Sequence, residues 1–293
     1  MAYPRLIYEN LETGESIEFS PYSVYWTNVA DEAVGMSDVA ATVNTVTAIG
    51  QDGADWASSQ IKSRKITIKG KIKTKDSMGK SIYRRGLTHV LNPRAAGRLT
   101  YVLDGFRRYI LCRPEQAPLY TPGRICDSYT IDLQCPSPFW LDVSEKSKAL
   151  TSFIKNWIFD WIIPEDGFIF GTRQTNSFVG ITNSGDTSVG ITITFSALGD
   201  VTNPCLYNDT TGEHMKLACN MVLGERIVVT THYGNKTVSR RRVSTVSNGF
   251  RLVTPESIWL QLPVGTSYFL TQADSGAELL DISIEFTPQY LAV

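Results

Sequence analysis

The sequence predicts a mainly β protein of two domains, and three observations carry that reading. Apolar and polar residues alternate with a period of two along most of the chain, the signature of half-buried strands. Tight-turn dipeptides such as Asp104-Gly105 separate these runs. Only one stretch, Ser77 to Leu91, has convincing helical spacing. The 293 residues amount to about two domains at roughly 150 residues each. Hydrophobic residues at 42% and aromatic ones at 11% supply enough apolar matter for two cores and exclude wholesale disorder.

Arg64 to Lys75, RKITIKGKIKTK, reads as a strand. Lys65, Lys69, Lys71, Lys73 and Lys75 fall at odd positions, and Ile66, Ile68 and Ile72 at even ones. Such a strand projects ammoniums from one face and apolar groups from the other. A substantial helix over about 77–91 follows, its apolar side made of Met78, Ile82, Tyr83, Leu87, Val90 and Leu91. Asn92-Pro93 ends it, because the residue before proline avoids the helical region. Leu99–Leu103 and Arg107–Leu111 flank Asp104-Gly105, which predicts a hairpin closed by a type I′ turn. Tyr129 to Cys135 alternates as a further strand, and Pro136-Ser137-Pro138 closes this half.

The boundary falls near residue 143, dividing the chain into domains 1–142 and 143–293. The second opens with an aromatic linker, 151–164, which holds Phe153, Trp157, Phe159 and Trp161. Short strands then follow closely. Val189, Ile191, Ile193 and Phe195 form one apolar row; Met215, Leu217 and Cys219 another; Ile258, Leu260 and Leu262 a third; Leu280, Ile282, Ile284 and Phe286 a fourth. Gly234-Asn235 and Asn248-Gly249 mark turns. Strands at this density predict a β-sandwich.

Several function classes are disfavoured. The 28 basic and 29 acidic side chains leave a charge of −1, so bulk electrostatics offers no grip on nucleic acid or an anionic membrane. Phe153 to Ile163 is the longest apolar run, interrupted by Lys155 and Asp160, and a membrane span takes about 20 apolar residues. The start shows no apolar leader segment, so no secretory signal is expected. Cys112, Cys126, Cys135, Cys205 and Cys219 lack metal-ligand spacing and read as small core hydrophobes in a reducing compartment. No nucleophile elbow, zinc-protease motif or phosphate loop is present. His89, His214 and His232 sit at a helix end or beside turns, and Asp52 with Asp55 makes at best a weak carboxylate pair. No enzyme activity, cofactor or metal is expected.

Two features invite contact readings. The face formed by Lys65, Lys69, Lys71 and Lys73 fits either a phosphate-binding stripe or a solvated, lysine-guarded sheet, the second being commoner. Trp259 falls on the non-core side of the Ile258/Leu260/Leu262 row. There it serves as a sugar-stacking platform, a subunit contact or a second packing layer. Phe153, Trp157, Phe159 and Trp161 must be buried against their own domains or a neighbouring subunit.

Ordered short motifs extend this reading. They include Asn10-Leu11-Glu12-Thr13-Gly14-Glu15-Ser16-Ile17, Gln51-Asp52-Gly53 before Arg64–Ile68, Leu91-Asn92-Pro93 before Gly97–Tyr101, and Cys135-Pro136-Ser137-Pro138-Phe139-Trp140. Ile181–Asp186, Asn203-Pro204, Thr211-Gly212-Glu213 and the terminal Gln289–Val293 continue the series. In this order they resemble the distal tail proteins of siphovirus-type bacteriophages, the hub of the tail tip or baseplate.

The resemblance implies an N-terminal ring-forming domain and a C-terminal galectin-like β-sandwich. It implies a homo-oligomer, a hexameric ring, at the distal end of the virion's tail, synthesised in the host cytoplasm. The ring would join the tail tube protein to the tip or spike-bearing hub protein and to receptor-binding components. Its channel would pass the tape measure protein and DNA, without stable nucleic-acid binding or membrane insertion. Lysines 65, 69, 71 and 73 would then face away from the channel or pair with acids of a neighbouring subunit. The alternative is a carbohydrate-binding module for host glycans, with Trp259 as its platform.

Overall fold

A computed structural model describes residues 3–74, 76–150, 152–155, 171–174, 178–242 and 245–293. The fold is mainly β with one long helix. Two compact units arise, Met1–Val143 with Gln289–Val293, and Ser144–Pro288.

The first unit contains β1 (Arg5–Asn10), β2 (Ser16–Phe19), β3 (Tyr25–Trp26), a short helix α1 (Val29–Glu32), β4 (Ala33–Val34), β5 (Ala41–Val46), β6 (Asp55–Ile61) and β7 (Arg64–Ile72). The long helix α2 (Ser77–Val90) follows, then β8 (Gly97–Leu103), β9 (Phe106–Pro114), β10 (Leu119–Thr121), β11 (Asp127–Cys135) and β12 (Trp140–Asp142). The main sheet runs β2-β1-β8-β9-β11-β7-β3 with antiparallel neighbours. A bridge between Ser20 and Trp26 brings its two ends together, so the sheet is a nearly closed barrel.

Strand β7 is the barrel's most strictly alternating element. Arg64, Ile66, Ile68, Gly70 and Ile72 point inward, and Lys65, Lys69 and Lys71 point out. It pairs with β11 from Arg64–Cys135 to Ile72–Asp127. Gly70 is dictated by close approach. A Cβ there would collide with the Trp26 carbonyl and with the hydroxyls of Tyr129 and Thr27, which hydrogen-bond each other at 2.6 Å.

The Asp104-Gly105 hairpin forms as the sequence predicts. Both residues have positive φ, 46° and 84°, as a type I′ turn requires. Helix α2 begins where Asp76 caps it, accepting from the amides of Met78 and Gly79. Its apolar face differs from the predicted one. Leu87, Val90 and Leu91 are buried and Tyr83 packs beside them, whereas Met78 is 71% and Ile82 61% exposed. The cause is electrostatic. Asp127, 2% exposed at the start of β11, lies 2.5 Å from Arg84 and 3.7 Å from Lys80, one helical turn apart. These pairs turn the Lys80–Arg84 side of the helix to the barrel and leave Met78 and Ile82 outside. Burial opposes the charge on Asp127, but the Gly123 amide and both cations outweigh it and hold its carboxyl below the ordinary value.

The terminal residues Gln289–Val293, which the sequence reading runs into the second domain, pack in the first unit. Tyr290 pairs with Trp140. The Arg108 guanidinium stacks 3.3 Å from the Tyr290 ring centroid and donates to the Ala292 carbonyl at 2.6 Å. Arg64 donates to the Leu291 carbonyl.

The second unit is a sandwich. One sheet is ordered Lys146–Ala149, Leu280–Phe286, Thr192–Ala197, Arg226–His232, Asn235–Arg242, Thr245–Asn248; the other runs Val179–Asn183, Gly265–Gln272, Cys205–Asn208, Glu213–Lys216. The predicted rows Val189–Phe195 and Leu280–Phe286 meet Leu206, Met215 and Phe269 in one core. Ile258 departs from its row and is exposed, because the regular strand there spans only Gln261–Leu262. All five cysteines are free; Cys112, Cys135 and Cys205 are buried.

One carboxylate in this unit is nearly sealed. Glu225, 1% exposed, contacts Arg240 and lies 3.1 Å from the Arg242 Nε. Burial alone would raise its pKa, but Arg240, the Val222 amide and Arg242 hold it below the ordinary 4.5.

Two outcomes follow from this packing. Gly70→Ala should destabilise the first unit by about 2–3 kcal/mol through overpacking, read as a lower urea midpoint by circular dichroism. Because the folded Glu225 pKa is depressed, its contribution is complete above about 4.5 and is lost as pH falls through the folded value. Acid titration of the urea midpoint should show that loss in wild type, and Glu225→Gln should flatten it.

Candidate functional site

Lys65, Lys69, Lys71 and Lys73 occupy one exposed face of the β7 segment, at the spacing a strand imposes. They do not form one uniform cationic stripe. The Lys65 Nζ lies 2.6 Å from Glu115 and 3.6 Å from Asp132, and its hydrogen bond to Glu115 leads the rise in its pKa. Thr67 donates to the other Asp132 oxygen at 2.7 Å. Lys71 and Lys73 lie 5.7 and 5.2 Å from the centroid of the Trp26 ring, and Lys73 donates to the Pro21 carbonyl. The alternation that exposes the lysines also places Trp26, opposite Lys71, on their face. What remains is a short basic patch around Lys69, Lys71 and Lys73, with its indole already occupied by ammoniums.

Of the three uses the sequence leaves open for Trp259, its contacts favour the second packing layer. It is half-buried and packs against the sandwich core. The Phe250 ring lies 5.4 Å away, and the Lys236 ammonium stands 5.4 Å from the indole centroid. Alternation holds from Trp259 to Leu262, with Leu260 and Leu262 buried and Trp259 and Gln261 half-buried. Trp157, Phe159 and Trp161 lie outside the described residues, as does the Phe153 side chain.

The sandwich carries a polar cleft of about 550 Å³ lined by Cys205, Tyr207, His214, Lys216 and Asp274 among others. Its one lysine is paired, and Glu256 adds a second carboxylate to the lining. Lys216 and Asp274 pair at 2.8 Å, and Asn203 donates to Asp274 at 2.8 Å; both contacts, the lysine's first, hold that carboxyl below its ordinary value. Among the described residues no group of three or more His, Cys, Asp or Glu is placed to hold a metal ion. No described helix is long and apolar enough to cross a membrane.

Sequence reasoning missed the most exposed element. Strands β5 and β6 pair only with each other, and nearly all of their residues are exposed, Trp56 at 80%. Asp52 and Asp55 sit at or beside this hairpin's tip, where Gln51 donates to Asp55 at 3.2 Å. The β-branched run Thr42, Val43, Thr45 and Val46, with Gly50 and Gly53 before Trp56, is the signal that could have revealed it.

Comparison with known proteins now adds to this geometry. Residues 25–125, about a third of the chain, match the family described as phage tail protein RIFT-related domain. The crystal structure of Dit from phage SPP1, described as a paradigm of the hub adsorption apparatus in phages infecting Gram-positive bacteria, matches over 98% of both chains. Its TM-score is 0.69 at 12% identity. A chain of the phage P2 baseplate, in its activated conformation with Ca, matches over the full length of both chains with TM-score 0.51 and 12% identity. Comparison with curated protein sequences gives no match.

The contacts of Trp259 make it a packing residue. Trp259→Ala should lower the stability of the sandwich unit by about 1–3 kcal/mol, a partial version of a buried aromatic truncation, measured by the urea midpoint. Through the matched domain within residues 25–125 and a fold shared end to end, the chain is similar to the siphovirus-type distal tail, or hub, proteins.

Proposed function

We propose that this chain is a structural hub of a bacteriophage tail tip or baseplate. Six copies of the 32.6 kDa chain, about 196 kDa, form a ring through the N-terminal unit. The ring joins the tail tube to the tip or spike-bearing protein. The C-terminal unit, a galectin-like sandwich in this reading, carries or braces receptor-binding components. The tape measure protein and then DNA pass through the channel, and the assembly sits at the distal end of the virion's tail after synthesis in the host cytoplasm. Its work is mechanical and needs no reacting group.

The observation that carries the reading is the agreement of two comparisons. A phage-tail domain is matched in sequence, and a hub protein's fold is matched over 98% of the chain. The lysine face is consistent with it. Ammoniums lining a DNA channel would bind phosphate and release counterions, which would retain the DNA. Lysines 65, 69, 71 and 73 therefore lie away from the lumen in this proposal. The glycan-binding alternative has little support from Trp259, whose ring already contacts Phe250 and Lys236.

Electron microscopy of the purified protein, alone and mixed with tail tube protein, should show closed sixfold rings with a central hole. Monomers under both conditions, with glycan affinity abolished by Trp259→Ala, would replace this reading with the carbohydrate-binding one.

A further inference from the structure

We infer that the β5–β6 hairpin is an amphipathic arm by which one copy of this chain grips the next, and that the exposed stripe of α2 receives it. The inference rests on the ring reading for its symmetry and on the following geometry for its residues.

A two-stranded hairpin that packs on nothing is marginal in water. This one presents Val43, Val46, Trp56 and Ile61 to solvent. Its register shows how those groups are sorted. Pairing runs from Ala41–Ile61 to Asn44–Ser58, then shifts and resumes as Thr45–Trp56 and Val46–Asp55. Ala57 is the extra residue of a β-bulge. Were Ala57 held in the ladder opposite Thr45 instead, Trp56 would face Val46, on the side of Thr42 and Asn44. With Ala57 bulged out, Trp56 joins Ala41, Val43, Thr45, Ser59 and Ile61 on one face, leaving Thr42, Asn44, Val46, Asp55, Ser58 and Gln60 on the other. The bulge thus gathers the largest apolar side chain onto a face that this chain leaves bare.

The same unit offers a receptor for that face. Met78, Ile82, Arg85 and His89 recur at helical spacing along one exposed stripe of α2. Its first half is apolar and its second half basic. Beside the basic half, Arg84, Arg85, Thr88, His89, Asn92 and Pro93 line a groove of about 530 Å³. The hairpin is complementary in kind. It is apolar on one face and carries Asp52 and Asp55 near its tip, with no lysine, arginine or histidine from Ala41 to Ile61.

Both patches stay exposed within one chain, so the arm does not fold back on its own helix. Two unlike, complementary patches per subunit are what a head-to-tail closed ring requires. The arm carries no cation to grip phosphate, which disfavours nucleic acid as its occupant.

Sedimentation of the full-length chain provides the test. Val43→Ser with Trp56→Ser changes only exposed side chains, and circular dichroism checks that the fold persists. This variant should sediment as a monomer where wild type assembles. Met78→Ser with Ile82→Ser removes the receptor and should also give monomers. Mixing arm and receptor variants should yield dimers of about 65 kDa, because each mixed pair retains one intact contact between its 32.6 kDa chains. If the arm variant assembles like wild type, the arm contact is wrong and the ring reading stands. If wild type remains monomeric at every concentration, with and without tail tube protein, both fall.

Discussion

The first unit is built around a strand that cannot slip. A one-residue shift of β7 would bury its lysines and expose Ile66, Ile68 and Ile72. Burying even one unpaired ammonium costs several kcal/mol, so no alternative register competes. Everything that pairs with β7 inherits this precision: β11 along its full length, β3 through Tyr25 and Trp26, and β4 through Ala33 and Val34. Arg64 extends the constraint. It is buried without a carboxylate, donating instead to the carbonyls of Gly35, Met36 and Leu291. Desolvation lowers its pKa, yet an arginine remains charged, so those carbonyls must stay where they are. The loop before β5 and the chain terminus are thereby fixed to the strand that opens on Arg64.

Charge is balanced locally in both units. Asp127 is matched by Arg84 and Lys80, Glu225 by Arg240 and Arg242, Lys216 by Asp274, and Lys65 by Glu115 and Asp132. The buried pairs carry orientation rather than bulk stability, since a buried ion pair gains little over a well-packed apolar contact. Asp127 shows this plainly: its two basic partners lie one turn apart on α2 and set which side of that helix meets the barrel.

What the sequence made legible follows from how local the deciding physics was. The β7 alternation, the Asp104-Gly105 turn, the α2 stop at Asn92-Pro93 and the Val189–Phe195 and Leu280–Phe286 rows all rest on neighbours within a few residues. The misses rest on distant partners. Met78 and Ile82 fit a helical face, but Asp127, far along the chain, rotates that face away. Ile258 fits an alternation that the short Gln261–Leu262 strand does not sustain, whereas Trp259 lies on the half-buried side of that row, where Phe250 and Lys236 gather around it. Gln289–Val293 follows the sandwich in sequence but is held by Trp140, Arg108 and Arg64. The lysine face was legible as a face, whereas the acids and the indole that occupy part of it come from other strands.

The β5–β6 hairpin was invisible for the opposite reason. Its composition is mostly Thr, Ser, Ala, Val and Gln, that of an ordinary surface loop, and its meaning lies in one residue, Ala57, bulged out of the ladder so that Trp56 stays opposite Thr45. In the proposed hub ring, two demands would conflict on a flat sheet: subunits must adhere, and DNA must not. Adhesion calls for apolar area, and passage calls for a surface without phosphate-binding cations. A hairpin with an apolar face, a polar face and no basic residue meets both demands with one element, provided the two faces are kept distinct. The bulge keeps them distinct. On the lysine face, Lys65 is neutralised by Glu115, and Lys71 and Lys73 are drawn over Trp26.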